Sequence, residues 1–359
     1  MTLPDRTLDA IRLQRDGTVT SPLYRSLLAI TVDDAERGGI TAEVLAQTDP
    51  AVEPVADALA LRFLGGVHRV VLDGRAPSLA RYYPSAGGHH DPEAPVDALA
   101  AAFLATVADH RAELVDALGH GVQTNEVGRC AALLLGFLTV ARTATPRLRV
   151  LEVGASAGLN LRWDRFRYEG GAGGSAWGDL ASPLRFTDVY AEPLPMLDAE
   201  AEVVERRGCD RSPIDATTAE GRSLLRSFVW PDQPERFAML DAALDVAGST
   251  PATVDQADAA EWVEAQLAAR PLDDGVSTVL YHSIVWQYLP RATKDRVRDA
   301  LAGAGQRATT RAPVAWLRME PGEDPARAAE VRLQVWPGGQ DHVVARTGYH
   351  GRPVRARVR

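Results

Sequence analysis

The stretch Arg149-Val-Leu-Glu-Val-Gly-Ala-Ser-Ala-Gly-Leu-Asn160 decides the fold. Val150, Leu151 and Val153 form a short apolar run, and Pro146 upstream discourages a helix from continuing into it. The pattern predicts a buried parallel strand, a tight glycine turn and then a helix whose positive N-terminal end faces a ligand. Such a unit is typical of α/β proteins that hold nucleotide-like cofactors.

The spacing Glu-x-Gly-x-Ser-x-Gly differs from the dinucleotide fingerprint Gly-x-Gly-x-x-Gly. It resembles the first motif of class I S-adenosylmethionine-dependent methyltransferases, in which an acid precedes a glycine turn around the amino-acid part of the cofactor. The resemblance implies that S-adenosyl-L-methionine is the cofactor. It also implies that this segment supplies the cofactor-binding residues Glu152, Gly154, Ala155, Ser156, Gly158 and Asn160. The alternative is an ordinary strand-to-helix turn without a ligand.

Composition limits the classes of function. The chain has 359 residues, 46% of them hydrophobic, which is enough for a large core and about two domains. A net charge of -9 argues against general nucleic-acid binding and favours a small-molecule substrate. The two cysteines suggest neither a disulfide framework nor a zinc site, and no apolar run is long enough to cross a membrane. We therefore expect a cytoplasmic bacterial protein that does not bind membranes; its oligomeric state stays open.

Periodicity divides the chain into two parts. Residues 1–144 carry helical spacing and predict an N-terminal substrate or lid domain. Residues 145–359 predict a Rossmann-like α/β sheet of the class I methyltransferase type, with a glycine-rich insertion at about 163–202. Alternating residues around Pro337-Gly338-Gly339-Gln340 predict an antiparallel C-terminal hairpin.

Acids follow the next two predicted strands, where ligands of doubly wound sheets bind. In the methyltransferase family an acid after the second strand holds the ribose hydroxyls. Asp210 is in that place, although it lies far from the glycine turn, and Asp215 is the competing candidate. Asp258 and Ala259 follow the third strand and match the family's adenine-binding position. The alternative for Asp258 is the N-cap of the next helix.

The predicted strand from Ser277 to Trp286 ends in the most distinctive polar cluster. In the methyltransferase fold this position lies near the transferred methyl group, so His282 is a candidate general base and His282 and Ser283 are candidate cofactor contacts. A structural role for His282 is the alternative. Tyr288 is the second catalytic candidate, and Trp286 and Gln287 are candidate substrate contacts. Together these three side chains are able to shape an aromatic wall, which would favour a sulfonium cation by cation–π attraction.

Other candidate substrate contacts lie in the predicted helical domain. Thr124 can begin a helix, which places Asn125 and Arg129 one turn apart on the same face and lets Arg129 bind a carboxylate. Tyr83 and His89 lie in a turn-rich loop that is able to cover a pocket. Adjacent histidines rarely direct both side chains to one ion, so we expect no metal.

Several segments together resemble an uncharacterised bacterial family, the domain of unknown function 2332. They are residues 123–129, 151–161, 204–215, 230–233, 282–290 and 335–339. The resemblance covers nearly the whole chain and implies a methyltransferase-like fold without an assigned reaction.

Three functions follow from these patterns. The first is an S-adenosylmethionine-dependent methyltransferase that acts on an oxygen or nitrogen nucleophile of a small molecule. The alternative is a non-catalytic sensor or scaffold that binds S-adenosylmethionine or a nucleoside. A nicotinamide-dependent oxidoreductase is disfavoured by the glycine spacing. On the methyltransferase interpretation, Gly154→Val blocks the cofactor loop and leaves the fold intact.

Overall fold

The computed structural model describes residues 3–18, 20–170, 175–194, 196–268, 272–323 and 328–357. Residues 171–174 of the predicted glycine-rich insertion lie outside the described residues. Among the helices of the described part, none is both long and apolar enough to cross a membrane.

Helices occur along most of the chain. In order they are α1 (Asp5–Gly17), α2 (Pro22–Glu36), α3 (Ile40–Leu45), α4 (Leu59–Leu72), α5 (Pro77–Ala80), α6 (Asp97–Asp109), α7 (Arg111–Leu118), α8 (Arg129–Thr143), α9 (Ala219–Ser227), α10 (Pro234–Ser249), α11 (Ala259–Ala268) and α12 (Arg291–Arg307).

Strands are concentrated after residue 146. In order they are β1 (Arg147–Val153), β2 (Arg167–Glu169), β3 (Ala176–Gly178), β4 (Arg185–Phe186), β5 (Glu202–Asp210), β6 (Thr253–Gln256), β7 (Ser277–Ser283), β8 (Val314–Pro321), β9 (Ala329–Trp336), β10 (Asp341–Thr347) and β11 (Arg355–Ala356).

Two compact units make up the chain. The first consists of Met1–Thr124 and Thr218–Ala238, and the second of Asn125–Thr217 and Met239–Arg359. The first unit is helical, and its core includes Phe63 and Phe103, whose rings meet edge to face at 6.1 Å. The predicted division of the sequence at residue 144 stays a prediction.

The second unit contains an eight-stranded mixed sheet. Its order is β11-β10-β9-β8-β7-β1-β5-β6, in which β6, β5, β1, β7 and β8 are parallel and β8 to β11 form an antiparallel meander. The predicted hairpin is confirmed as β9 and β10. A small sheet of order β3-β2-β4 occupies the predicted insertion.

Helices cover both faces of this sheet, and β1 and β7 are therefore buried on both sides. On one face the fully buried Phe137 of α8 stacks on Trp163 at 4.2 Å and meets Tyr281 edge to face at 5.1 Å. On the other face α11 and α12 pack against Leu151 and Leu280.

The prediction of a helix directly after the glycine turn is wrong. The chain forms only a short 3₁₀ turn, Asn160–Arg165, with non-helical angles at Arg162. Trp163 from this turn fills the space beside Phe137, and the Arg162 guanidinium donates to the Gly158 carbonyl at 2.7 Å. The turn itself packs on β1 and β5, beside α8, which packs on β7 to β10.

Two other predicted boundaries are corrected. The helix predicted from Thr124 begins at Arg129, so Asn125 and Arg129 do not share a helix face. The strand predicted to continue to Trp286 ends at Ser283, because Ile284 has a φ of 51° and leaves the extended conformation.

Candidate functional site

The glycine turn follows β1 as predicted and is conformationally strained. Gly154, Ser156 and Gly158 have φ values of 72°, 53° and 67°. A Cβ on Gly154 would lie 2.6 Å from Val285 Cγ2, and one on Gly158 would lie 2.8 Å from Val254 Cγ2. Both glycines are therefore required by the turn and by its close packing against neighbouring loops and strands.

Ser156 is the exceptional residue of this turn. It adopts a left-handed conformation without being glycine, and its buried hydroxyl has no hydrogen-bond partner among the described residues. Strained residues and unsatisfied buried polar atoms are concentrated at ligand-binding sites. Ser156 thus marks the turn as a candidate binding site more specifically than the glycines do.

Glu152 lies beneath the turn and is 1% exposed. Its Oε2 accepts a 2.9 Å hydrogen bond from the Tyr281 hydroxyl, and it also bonds to the Asn160 side chain. Cys130 donates to Asn160 Oδ1 at 3.3 Å, which extends the network to α8. Burial raises the pKa of Glu152 to about 8, against the lowering effect of these hydrogen bonds.

Asp210 ends β5 beside the turn. Its Oδ2 accepts from the Ser156 amide at 2.9 Å, and its Oδ1 accepts from the Ser212 amide at 2.9 Å. Asp215 instead accepts from the amide and hydroxyl of Thr217, at 2.9 and 2.6 Å. Of the two candidate ribose-binding acids, Asp210 is therefore the one that contacts the glycine turn.

Asp258 lies at the start of α11. Its Oδ1 accepts from the Ala260 amide at 2.9 Å, which is N-cap geometry, and the buried Ala259 is the first helical residue. The N-cap alternative therefore describes what Asp258 does here, and a contact with adenine stays a prediction.

His282 is fully buried and paired with an acid that the sequence analysis missed. Its Nδ1 donates to Glu320 Oε1 at 2.6 Å, and the same oxygen accepts from the amides of Val285 and Trp286 at 3.1 and 3.2 Å. Nε2 is buried without a hydrogen-bond partner among the described residues. Because a carboxylate only accepts, Nδ1 carries a proton, and in the neutral imidazole Nε2 presents a lone pair. This arrangement is that of an oriented base.

We expect Glu320→Gln to loosen the loop after β7. An amide oxygen is a weaker acceptor than a carboxylate, and hydrogen bonds to charged groups contribute about 1.5 to 3 kcal/mol. Hydrogen exchange of the Val285 and Trp286 amides should accelerate about tenfold or more, whereas the exposed control Glu323→Gln should leave it unchanged. Equal exchange in the two variants would contradict this role of Glu320.

Arg129 and Asn125 hold backbone segments at this end of the sheet. The Arg129 guanidinium donates to the carbonyls of Ser283 and Tyr349 at 3.0 and 3.2 Å, and Asn125 Oδ1 accepts from the Leu159 amide at 2.9 Å. These contacts are structural, and the predicted binding of a substrate carboxylate by Arg129 stays a prediction.

The remaining candidates are dispersed. Trp286 stacks on His282 with ring centroids 4.9 Å apart, whereas Gln287 and Tyr288 are exposed. The role of these three side chains in binding or catalysis stays a prediction. In the first unit Tyr83 is buried and His89 is exposed.

Glu320 was not among the residues predicted from the sequence, although its position carries a signal. Glu320 closes the apolar strand β8 and precedes Pro321, so it occupies the same kind of position as Asp210 on β5. Applying the strand-end rule to β8 would have found it. In the described part of the chain, no group of three or more His, Cys, Asp or Glu side chains is placed to hold a metal ion.

Comparison with known families gives one match. The profile of a family described as an uncharacterized protein conserved in bacteria, DUF2332, matches residues 11–356. The chain belongs to the DUF2332 family. The match covers the glycine turn, the His282–Glu320 pair and the helical unit, so all of these belong to the DUF2332 region. No curated protein and no solved structure matches the chain.

Proposed function

We propose that the second unit binds S-adenosyl-L-methionine at the carboxyl ends of its parallel strands and transfers the methyl group to an oxygen or nitrogen of a small molecule. After β1 the chain adds β5 and β6 on one side of that strand and then β7 and β8 on the other, so the order of the parallel strands reverses between β1 and β7. Ligands of doubly wound sheets bind at such a reversal, and the glycine turn follows β1 there.

The observation that carries the proposal is Ser156. A left-handed backbone and a buried hydroxyl without a hydrogen-bond partner both cost folding free energy. A ligand that forms a hydrogen bond with this hydroxyl would offset that cost. Its amide is held by Asp210, the acid that the family resemblance assigns to the ribose. These residues fit a cofactor with hydroxyl and amino-acid groups.

Two features of the fold set the limits of this fit. Without a long helix after the turn, no helix dipole contributes, so the loop's own polar groups bind the cofactor. The antiparallel meander extends directly from β8, which leaves the five parallel strands as the part that supports the methyltransferase interpretation.

The cofactor supplies an activated methyl group when it is bound. The proposed cofactor contacts are Glu152, Gly154, Ala155, Ser156, Gly158, Asn160, Asp210, Asp258, Ala259, His282 and Ser283.

His282 Nε2 accepts the proton of the nucleophile, and Glu320 stabilises the resulting imidazolium through Nδ1. The remaining rate enhancement comes from alignment of the two reactants.

Calorimetric titration with S-adenosylhomocysteine tests the binding step. We expect saturable binding that Ser156→Ala weakens about tenfold, the effect of about 1.4 kcal/mol for one lost hydrogen bond in a buried site. The matched control is Ser175→Ala, an exposed serine of the same unit, which should bind like wild type. Absence of binding to wild type would refute the proposal.

An acceptor panel then separates an enzyme from a sensor. Turnover on any oxygen or nitrogen nucleophile, reduced by His282→Ala more than cofactor affinity is, supports the methyltransferase. Tight binding without turnover would favour the non-catalytic alternative, in which the same site serves as a sensor or scaffold. A thermal shift induced by NAD instead of S-adenosylhomocysteine would favour an oxidoreductase.

A further inference from the structure

Two sequence segments that the proposed function does not use meet on α2 in the first unit. Asp232 Oδ2 accepts from the Leu23 amide at 3.2 Å, and the Trp230 ring lies 5.9 Å from that of Tyr24. From the other segment, His90 Nε2 lies 3.1 Å from Ser26 Oγ. The loop that contains Tyr83 and the Trp230-Pro-Asp-Gln segment are thereby brought to one side of α2.

Two polar atoms of this cluster are buried without partners. They are Tyr83 Oη and Asp232 Oδ1, neither of which makes a hydrogen bond among the described residues. Tyr83 is 0% exposed. Burial raises the pKa of Tyr83, and the nearby carboxylate of Asp232 raises it further. A buried carboxylate oxygen that is left unpaired is costly, so the cluster lacks a component.

The groups that contact Asp232 carry no positive charge. Within the described part of the chain, the contacts of Asp232 comprise the Leu23 amide but no cationic side chain. Burial lowers the pKa of His90, so its imidazole is neutral near pH 7. His68, which lies 5.4 Å from Tyr83, is also neutral because burial lowers its pKa to about 3. Asp232 therefore makes no ion pair with a described side chain.

The surroundings of Asp232 have the chemistry that recognises an ammonium group. A carboxylate supplies the opposite charge, a phenol oxygen accepts an N–H, and aromatic rings attract a cation that has lost its water. We propose that the first unit binds an organic ammonium compound. Asp232 is its counter-ion, Tyr83 Oη accepts an N–H from it, and Tyr24 and Trp230 supply aromatic contacts. This proposal is independent of the cofactor site in the second unit.

Titration of the full chain with two ammonium compounds and their neutral analogues tests the site. The probes are choline against 3,3-dimethylbutan-1-ol and benzylamine against benzyl alcohol, followed by calorimetry and by the thermal midpoint. We expect binding of at least one ammonium probe at millimolar or lower concentration, with its neutral analogue at least tenfold weaker.

Asp232→Asn keeps the shape and an oxygen acceptor but removes the charge, so it should weaken the bound ammonium probe at least tenfold. The control Asp91→Asn removes a charge from an exposed acid in the same unit and should leave binding unchanged. Tyr83→Phe should weaken benzylamine more than choline, because only the primary ammonium has an N–H to donate.

Three results would overturn the proposal. One is that neither ammonium probe binds at millimolar concentration, which leaves a bridging water as the component between Asp232 and Tyr83. The others are equal binding of a neutral analogue and undiminished binding to Asp232→Asn. If Asp232→Asn does not fold, the Tyr83→Phe comparison decides: an equal effect on both ammonium probes, or no effect on benzylamine, would contradict the site.

Discussion

Gly154→Val is expected to lower the free energy of unfolding by about 2 to 5 kcal/mol. The native φ of 72° costs a side chain about 1 to 2 kcal/mol. A further cost of about 1 to 3 kcal/mol arises because a Cβ would lie 2.6 Å from Val285 Cγ2. This corrects the expectation from sequence that the substitution leaves the fold intact, whereas the expected block of the cofactor loop stays a prediction. Chemical denaturation measures the loss.

Gly275→Val is the matched control, since Gly275 has a φ of 77° but nothing lies within 4 Å of the position that a Cβ would occupy there. It should lose only the conformational part, about 1 to 2 kcal/mol. The double variant Gly154→Val, Val285→Ala should recover part of the loss of the single variant. Equal losses in Gly154→Val and Gly275→Val would mean that the contact with Val285 costs nothing.

Glu152→Gln is expected to remove a pH dependence of stability. Burial raises the pKa of Glu152 from the ordinary 4.5 to about 8 in the folded protein. The folded state therefore holds a proton that the unfolded state releases between these values. The associated stability is fully present below pH 4.5 and is lost as the pH rises through 8, a change of about 5 kcal/mol at the ordinary conversion.

Denaturation at pH 5 and pH 9 measures this effect. The wild type should lose several kcal/mol that Glu152→Gln does not lose, so the variant becomes the more stable protein at pH 9. Glu202→Gln, at the exposed amino end of β5, should keep the wild-type dependence. A variant Glu152→Gln whose stability falls with pH as steeply as that of wild type would show that Glu152 is ionised in the fold.

Local patterns predicted those parts of the site that each depend on a short segment of sequence. The apolar residues of β1, the turn after Val153 and the acid at the end of β5 were visible because each depends on neighbours in sequence. The hairpin of β9 and β10 was predicted for the same reason, since Pro337 and the two glycines after it separate alternating segments.

The rest depended on which elements meet in space. His282 is oriented by Glu320, 38 residues away, only because β7 and β8 are neighbours in register. The 3₁₀ turn that replaces the predicted helix packs Trp163 against Phe137 of α8, a contact that no local pattern reveals. Asp258 looks the same in sequence whether it binds a ligand or caps α11, and the hydrogen bond to the Ala260 amide is what reveals the cap.

A crystal structure of the full chain with S-adenosylhomocysteine would show whether the second unit binds this cofactor at its glycine turn. We expect ligand density at the carboxyl end of β1, with the Ser156 hydroxyl bonded to the ligand and the ribose next to Asp210. Density elsewhere, or a Ser156 hydroxyl still without a partner in crystals saturated with S-adenosylhomocysteine, would contradict it.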